Sequence, residues 1–374
     1  MLTKLGIGCS RFGWAAAAVL VACSNNAGSS ETGVASNLAP GIADCSAPTA
    51  LQAQTMVDFV TGIQHAYSYA ALSIPEMNAV IEAVHALDAS DLNRAAEAAP
   101  RAGYRLAPLV AGGACYWVLL PPGFPGAIEQ AVVVYAPAWQ RNLVLEAPHA
   151  HEDHNTDAEA ALVFQSVAAK ALVVSGSHRC VQGVASSGCR LTAECSHRDP
   201  TTGSTPAIPP ADSDPAHSIH NALNAVHLAF RTSEAIELQL HTNAHPEING
   251  DSLVSNGTRY AIAGTVADAL YTALQSPDVH ILSCNDLSAP PPKNAFCGEI
   301  NTQGLASNGA ADTCLGRPTS NGDASQHRFV HLEQSNYRMC RAADVGANPL
   351  CLGSFDEWAS RVGAAVRVAV PAFR

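Results

Sequence analysis

The segment Leu143-Val-Leu-Glu-Ala-Pro-His149-Ala-His-Glu-Asp153-His-Asn-Thr156 decides the reading of the fold. It opens on a short apolar run, Leu143-Val-Leu145, of the kind that forms a buried strand. It closes on Thr156-Asp-Ala-Glu159, the Thr-x-x-Glu pattern of a capping box, ahead of an apolar-periodic run over residues 160–168. On that pattern Glu159 is assigned to helix capping. Between strand and helix stand His149, His151 and His154 with Glu152 and Asp153, and Glu146 just precedes them. In an open α/β sheet the loop at the carboxyl end of a strand is where ligands bind. This loop is therefore where a metal site is expected.

Working outward, strand and helix signals alternate. Met56-Val-Asp-Phe-Val and Met77-Asn-Ala-Val-Ile-Glu-Ala-Val-His-Ala-Leu carry apolar residues at helical spacing, so residues 50–100 read as a helical cap. Residues 104–120 read as two strands around Gly112-Gly113, and 131–135, 143–145, 171–175, 235–240, 279–283 and 327–332 as further strands. Helices are expected after Thr156, from an Asp214-Pro215 start to Phe230, over 266–274, and after a second capping box at Ser354-Phe-Asp-Glu357. Residues 284–326 read as loop. The pattern predicts an α/β fold of three layers, a mixed or mostly parallel central sheet with helices on both faces. The N-terminal helical and strand region, 45–125, is expected to pack on an α/β catalytic domain over 126–374.

His149, His178, His241 and Glu333 each fall within a few residues of the end of an expected strand, so one edge of the sheet can present them together. A catalytic zinc takes three protein donors and keeps one position for water. His149, Asp153 and His241 make a set of two imidazoles and one carboxylate suited to Zn²⁺. Glu152 is the alternative carboxylate, since His149-Ala-His-Glu152 also has an HxxE spacing, and His151, His154 and His245 are spare donors. Glu333 is the candidate general base and acid; its other reading is a strand-edge ion pair with Arg338. Arg179 and Arg338 are planar forks that could grip a substrate carboxylate. His217, His220 and His227 are placed on a helix and read as solvated or internally satisfied.

At the amino terminus, Lys4 and Arg11 precede an apolar stretch, residues 14–22, too short to span a bilayer. It ends in Leu20-Val-Ala-Cys23, which resembles the lipobox of bacterial lipoproteins. That resemblance implies removal of a signal peptide, 1–22, acylation of Cys23 and membrane attachment through the lipid. Ser24 in place of Asp is similar to the outer-membrane sorting pattern, so the expected location is the bacterial cell envelope at the outer membrane. Residues 23–44, rich in Ser, Asn, Gly and Ala, read as a flexible tether. Of 12 cysteines, ten lie beyond Cys23, an even number that reads as disulfides in an exported chain. Near neighbours such as Cys284 with Cys297 and Cys340 with Cys351 are candidate pairs. Net charge is −12, with 20 Lys and Arg in no basic cluster, which argues against a nucleic-acid partner.

Six short blocks taken in order carry a further resemblance: Glu146-Ala-Pro-His149-x-x-x-Asp153-x-x-Thr156, Ser175-Gly-Ser-His178-Arg179, Gln239-Leu-His241, Ser255-Asn-Gly257-Thr, Asn301-Thr-Gln-Gly304 and His331-Leu-Glu333-Gln-Ser. Over roughly residues 130–340 they look like the N-formylglutamate amidohydrolase-like group, relatives of zinc carboxypeptidases and phage poly-γ-glutamate hydrolases. The resemblance implies a zinc carboxypeptidase-like fold, a metal held by His149, Asp153 (or Glu152) and His241, and Glu333 as acid and base. Beside these, His178, Arg179 and Arg338 are the candidate substrate-binding residues. The function expected is hydrolysis of an amide or peptide bond beside a carboxylate, on a small-molecule or peptide substrate. The alternatives are an envelope lipoprotein that binds metal or ligand without turnover, or a structural envelope protein.

Overall fold

Ten strands lie side by side in one mixed sheet in the computed structural model, which describes residues 45–150, 152–179, 216, 218–260, 264–286, 288–314, 316, 328–345 and 350–373. These are β1 (Leu51–Ala53), β2 (Arg105–Ala111), β3 (Ala114–Leu120), β4 (Val132–Tyr135), β5 (Arg141–Ala147), β6 (Ala169–Val174), β7 (Ile236–Asn243), β8 (Ser252–Ser255), β9 (Ile281–Ser283) and β10 (Phe329–Ser335). The order across the sheet is β1-β2-β3-β4-β6-β5-β7-β10-β8-β9. The central strands β6, β5, β7 and β10 run parallel, whereas β2/β3, β3/β4, β4/β6 and β8/β10 pair antiparallel. The region 45–125 thus adds three strands to the same sheet as well as helices.

Helices cover both faces: α1 (Met56–Thr61), α2 (Ile74–Asp88), α3 (Leu92–Ala98), α4 (Thr156–Val167), α5 (Ala222–Thr232), α6 (Pro246–Asn249), α7 (Val266–Leu274), α8 (Thr302–Ser307), α9 (Asn336–Met339) and α10 (Phe355–Ala369). Alternate residues of a strand point to opposite faces, and the apolar strands here feed two separate cores. Val132, Val134, Leu143, Leu145, Leu172 and Val174 pack with Phe164 of α4 and Trp358 and Val362 of α10. Val133, Tyr135, Val144, Ala171 and Val173 pack with Val80 and Val84 of α2 and Val226 and Phe230 of α5. This is the three-layer α/β architecture.

From β5 the chain passes through α4 to β6 on one side, then returns to β7 on the other. β5 and β7 are adjacent parallel strands whose outgoing connections diverge, which opens a crevice at their carboxyl ends. The histidine-bearing loop after β5 forms one lip of it.

Some local expectations fail for tertiary reasons. Helix α4 begins after Asn155, which is left-handed at φ 57° and makes no side-chain cap. Thr156 Oγ1 donates to the Asp153 carbonyl at 2.9 Å, and Glu159 is fully buried with a hydrogen bond from Gln334 Nε2 at 2.7 Å. Glu159 is therefore a core residue and not a capping one. Ser354 likewise makes no side-chain cap on α10. Strands β1 and β8 and helix α8 are not expected from the sequence, the last falling inside the stretch 284–326 expected as loop. The expected start at Asp214-Pro215 lies outside the described residues; the described helix α5 begins at Ala222, capped by Asn221 Oδ1.

Disulfides join Cys284 to Cys297, Cys340 to Cys351, and Cys45 to Cys115. Cys23, Cys180, Cys189, Cys195, His151 and His217 lie outside the described residues. Among the described residues no helix is long and apolar enough to cross a membrane.

Candidate metal centre

The backbone of the loop after β5 coils once before α4 begins. Glu152 and Asp153 both donate their N–H to the His149 carbonyl, at 3.0 and 2.8 Å. That turn brings the His149 and Asp153 side chains, four residues apart, onto one side. His241 arrives from β7 across the crevice, and Glu333 is its register partner on β10. All four are buried, at 2%, 3%, 3% and 7% exposure, and all line one cavity of about 370 Å³.

Three donor atoms meet there. His149 Nδ1 lies 3.3 Å from Asp153 Oδ2 and 3.1 Å from His241 Nδ1, and His241 Nδ1 lies 3.0 Å from Asp153 Oδ2. No placement of protons on neutral rings makes all three contacts favourable. If both rings donate to the carboxylate, two N–H groups face each other. If one ring donates to the other, the acceptor's lone pair faces a carboxylate oxygen. A divalent cation at the centre satisfies all three, and tetrahedral donors about 2.0 Å from such an ion sit roughly 3.3 Å apart. The residues fit a zinc-type ion in number, chemistry and spacing.

Their electrostatics agree. Burial alone would push the Asp153 carboxyl up, but His149, His241 and the Arg179 guanidinium outweigh it and hold it well below the usual carboxylate range. Burial, with the His149 and Arg179 charges, holds the His241 imidazole below its ordinary value despite the opposing pull of Asp153. A carboxylate and a neutral imidazole are the forms a metal takes.

Glu152 turns the other way. Its Oε1 lies 2.7 Å from His178 Nε2, and the His178 ring stacks on Tyr67 at 5.0 Å between centroids. Of the two candidate carboxylates, then, Asp153 faces the other donors, and neither Glu152 nor His178 lines the cavity. Arg179 does line it, with Nη1 3.3 Å from Asp153 Oδ1. Arg338 does not: its guanidinium is committed to Asp251 through two bonds of 2.9 and 3.2 Å, and to the Asp278 carbonyl. Its expected substrate-gripping role is corrected to a structural one that ties α9 to the segment before β8. The Glu333–Arg338 pair does not form either, since Glu333 accepts from Asn243 Nδ2 at 3.3 Å and lies 3.6 Å from His331 Nε2. The spare donors His154 and His245 pair with Asp344 and Glu247.

His227 is internally satisfied, buried with Nδ1 3.3 Å from both Glu146 and Glu237 and Nε2 3.0 Å from Ser307 Oγ. Two residues of the sequence blocks, given no role from the sequence, belong to the site. His331 lines the cavity and stacks on His241 at 4.6 Å, and Gln239 lies directly behind His241. Their signal was present as polar residues at alternate positions on strands otherwise buried: Glu237, Gln239, His241 and Asn243 on β7, and His331, Glu333 and Ser335 on β10.

The segment 295–301 forms the opposite wall. Cys297 is bridged to Cys284, its carbonyl accepts from Ser255 Oγ at 2.8 Å, and Phe296 N donates to Asn249 Oδ1 at 3.0 Å.

No protein-family model and no curated protein matches this chain. Solved structures do. One is the N-formylglutamate amidohydrolase from Ralstonia eutropha JMP134, 14% identical over 65% of this chain and 98% of that one, with a TM-score of 0.39. Another is a bacteriophage poly-gamma-glutamate hydrolase, 13% identical over 63% of this chain and 87% of that one, with a TM-score of 0.34.

Proposed function

We propose that this chain is an exported, zinc-dependent hydrolase of an amide or peptide bond next to a carboxylate, anchored in the bacterial cell envelope by a lipid on Cys23. The observation that carries the reading is the meeting of His149 Nδ1, Asp153 Oδ2 and His241 Nδ1 within 3.0–3.3 Å of one another in a buried cavity. Two imidazoles and one carboxylate suit Zn²⁺, and three protein donors match catalytic rather than structural zinc sites. A zinc ion held there would supply Lewis-acid polarisation of a carbonyl and activation of water. Glu333, on the strand beside His241, takes a proton at its carboxylate and returns it to the departing amine. Arg179 presents its planar fork at the same cavity, where it orients a substrate carboxylate. The wall from Ala295 to Ile300, apolar except for Glu299, shields the reacting groups from bulk water.

The test is metal content and turnover of the purified soluble chain on N-acyl-glutamate and γ-glutamyl peptides. One zinc per chain is expected, lost in His149→Ala. Glu333→Gln is expected to keep the zinc and lower kcat by roughly 10²–10⁴-fold. Turnover at the wild-type rate in Glu333→Gln would remove Glu333 as the acid and base. Stoichiometric zinc with no turnover in the wild type would leave a binding lipoprotein.

A further inference from the structure

We infer that Gln239 is a positioning residue that fixes the tautomer of His241, holding its Nε2–H so that Nδ1 presents a lone pair to the site. The geometry behind this is a chain of side-chain amides whose orientation is set at both ends by the backbone. Gln303 Nε2 donates to the Ala216 carbonyl at 3.0 Å, an acceptor and nothing else, so Gln303 Oε1 faces Gln239. Gln239 Nε2 lies 3.4 Å from that oxygen and 2.7 Å from Glu146 Oε2, which gives both of its hydrogens an acceptor. Independently, Asn301 Oδ1 accepts from the backbone N–H of Gly304 at 2.9 Å, so Asn301 Nδ2 is the group that reaches Gln239 Oε1 at 2.7 Å. Two anchors with no freedom to flip thus agree on the same orientation of Gln239.

That orientation leaves one role for His241 Nε2. It lies 3.5 Å from Gln239 Oε1, a carbonyl oxygen, and so meets it as a donor. The proton stays behind the ring, and Nδ1 faces His149 and Asp153 with its lone pair. Metal-bound histidines generally donate their second nitrogen to a fixed acceptor in this way, and loss of that acceptor weakens metal affinity about 10- to 100-fold. Asn301 also lines the cavity and caps α8, so the same amide that sets the ligand is tied to the cavity wall. Glu146 is held in turn by His227, which is wedged between Glu146 and Glu237.

The role of the arrangement rests on the metal site proposed above, and the experiment separates the two. Long-range ¹H–¹⁵N spectra of the zinc-loaded full-length chain report which nitrogen of each imidazole carries the proton, with His241 assigned by its absence in His241→Gln. The expected result is Nε2–H at His241, since Nδ1, 3.0 Å from Asp153 Oδ2, presents a lone pair there only with a cation between them. In Gln239→Leu zinc affinity, read by chelator competition, is expected to fall about 10- to 100-fold, and the Nε2–H to exchange faster with solvent. Zinc-loaded wild type with the His241 proton on Nδ1 overturns the inference, and so does a Gln239→Leu protein with unchanged affinity and unchanged exchange. Absence of zinc uptake by the wild type removes the metal reading and this role with it, whereas uptake that Gln239→Leu leaves unaltered removes the positioning role alone.

Discussion

A single carboxyl, that of Glu159, carries a stability term that the Thr-x-x-Glu pattern hides. Burial pushes it up to about 8, and the hydrogen bond from Gln334 offsets that in part. Gln334 is itself held by Trp358 Nε1 at 2.6 Å, so the amide has little room to follow a charge. Unfolded, the carboxyl has its ordinary value of 4.5. A group whose folded value is raised contributes stability that is full below the unfolded value and lost as pH rises through the folded one. The window here runs from 4.5 to about 8, with a slope of about 1.4 kcal/mol per pH unit. Glu159→Gln keeps the shape and removes the titration, so its urea midpoint should fall less than the wild type's between pH 5 and 9. Glu237, also pushed up to about 8 by burial and the nearby Glu146, is present in both proteins and cancels from the comparison. Equal pH slopes for the two proteins would exclude the effect. The capping-box pattern fails here because it is local, while Glu159 on α4 is placed by its contact with Gln334 of β10, which Trp358 of α10 holds.

At the level of elements, β5, β7 and β10 bring their polar residues to one end of a sheet that is otherwise apolar on both faces. Legibility followed how each residue type behaves alone. A loop crowded with His, Asp and Glu announces chemistry, so His149, Asp153 and, at a strand end, His241 and Glu333 were readable. Gln239 and His331 stand in the same alternation of polar and apolar residues, but that pattern marks a face of a strand and assigns no role until the neighbouring strands are known. Arg338 misled because a guanidinium suits a carboxylate of the protein as well as one of a substrate. The wall opposite makes a sharper prediction. Gly298 sits at φ 68°, and a Cβ there would lie 2.9 Å from the His331 ring. Gly298→Ala therefore combines a left-handed backbone with a clash against the ring stacked on His241. Loss of about 1–3 kcal/mol in stability is expected from the strain alone, with kcat lowered and zinc content retained. Thermal melts and metal analysis of the one variant check both halves, and unaltered turnover would show that His331 has room to yield.

For the whole molecule, the donors come from both sides of the switch in strand order: His149 and Asp153 follow β5, and His241 lies near the carboxyl end of β7. They sit 92 and 88 residues apart in sequence across the crevice, so the unfolded chain does not bring them together. A cation bound by this set therefore binds the folded state far more tightly than the unfolded one, and linkage converts its affinity into stability. At a free concentration a thousandfold above Kd the gain is about 4 kcal/mol, which for a domain of this size raises Tm by several degrees. Calorimetry with excess zinc against excess chelator should show that shift in the wild type and lose most of it in His149→Ala. His245→Ala is the matched control, since His245 pairs with Glu247 at the surface, 3.1 Å apart, and takes no part in the cluster; its shift should equal the wild type's. A shift of the same size in His149→Ala would mean that zinc acts elsewhere on the chain, and a shift lost in His245→Ala would mean that the loop after β7, rather than the crevice, holds the ion.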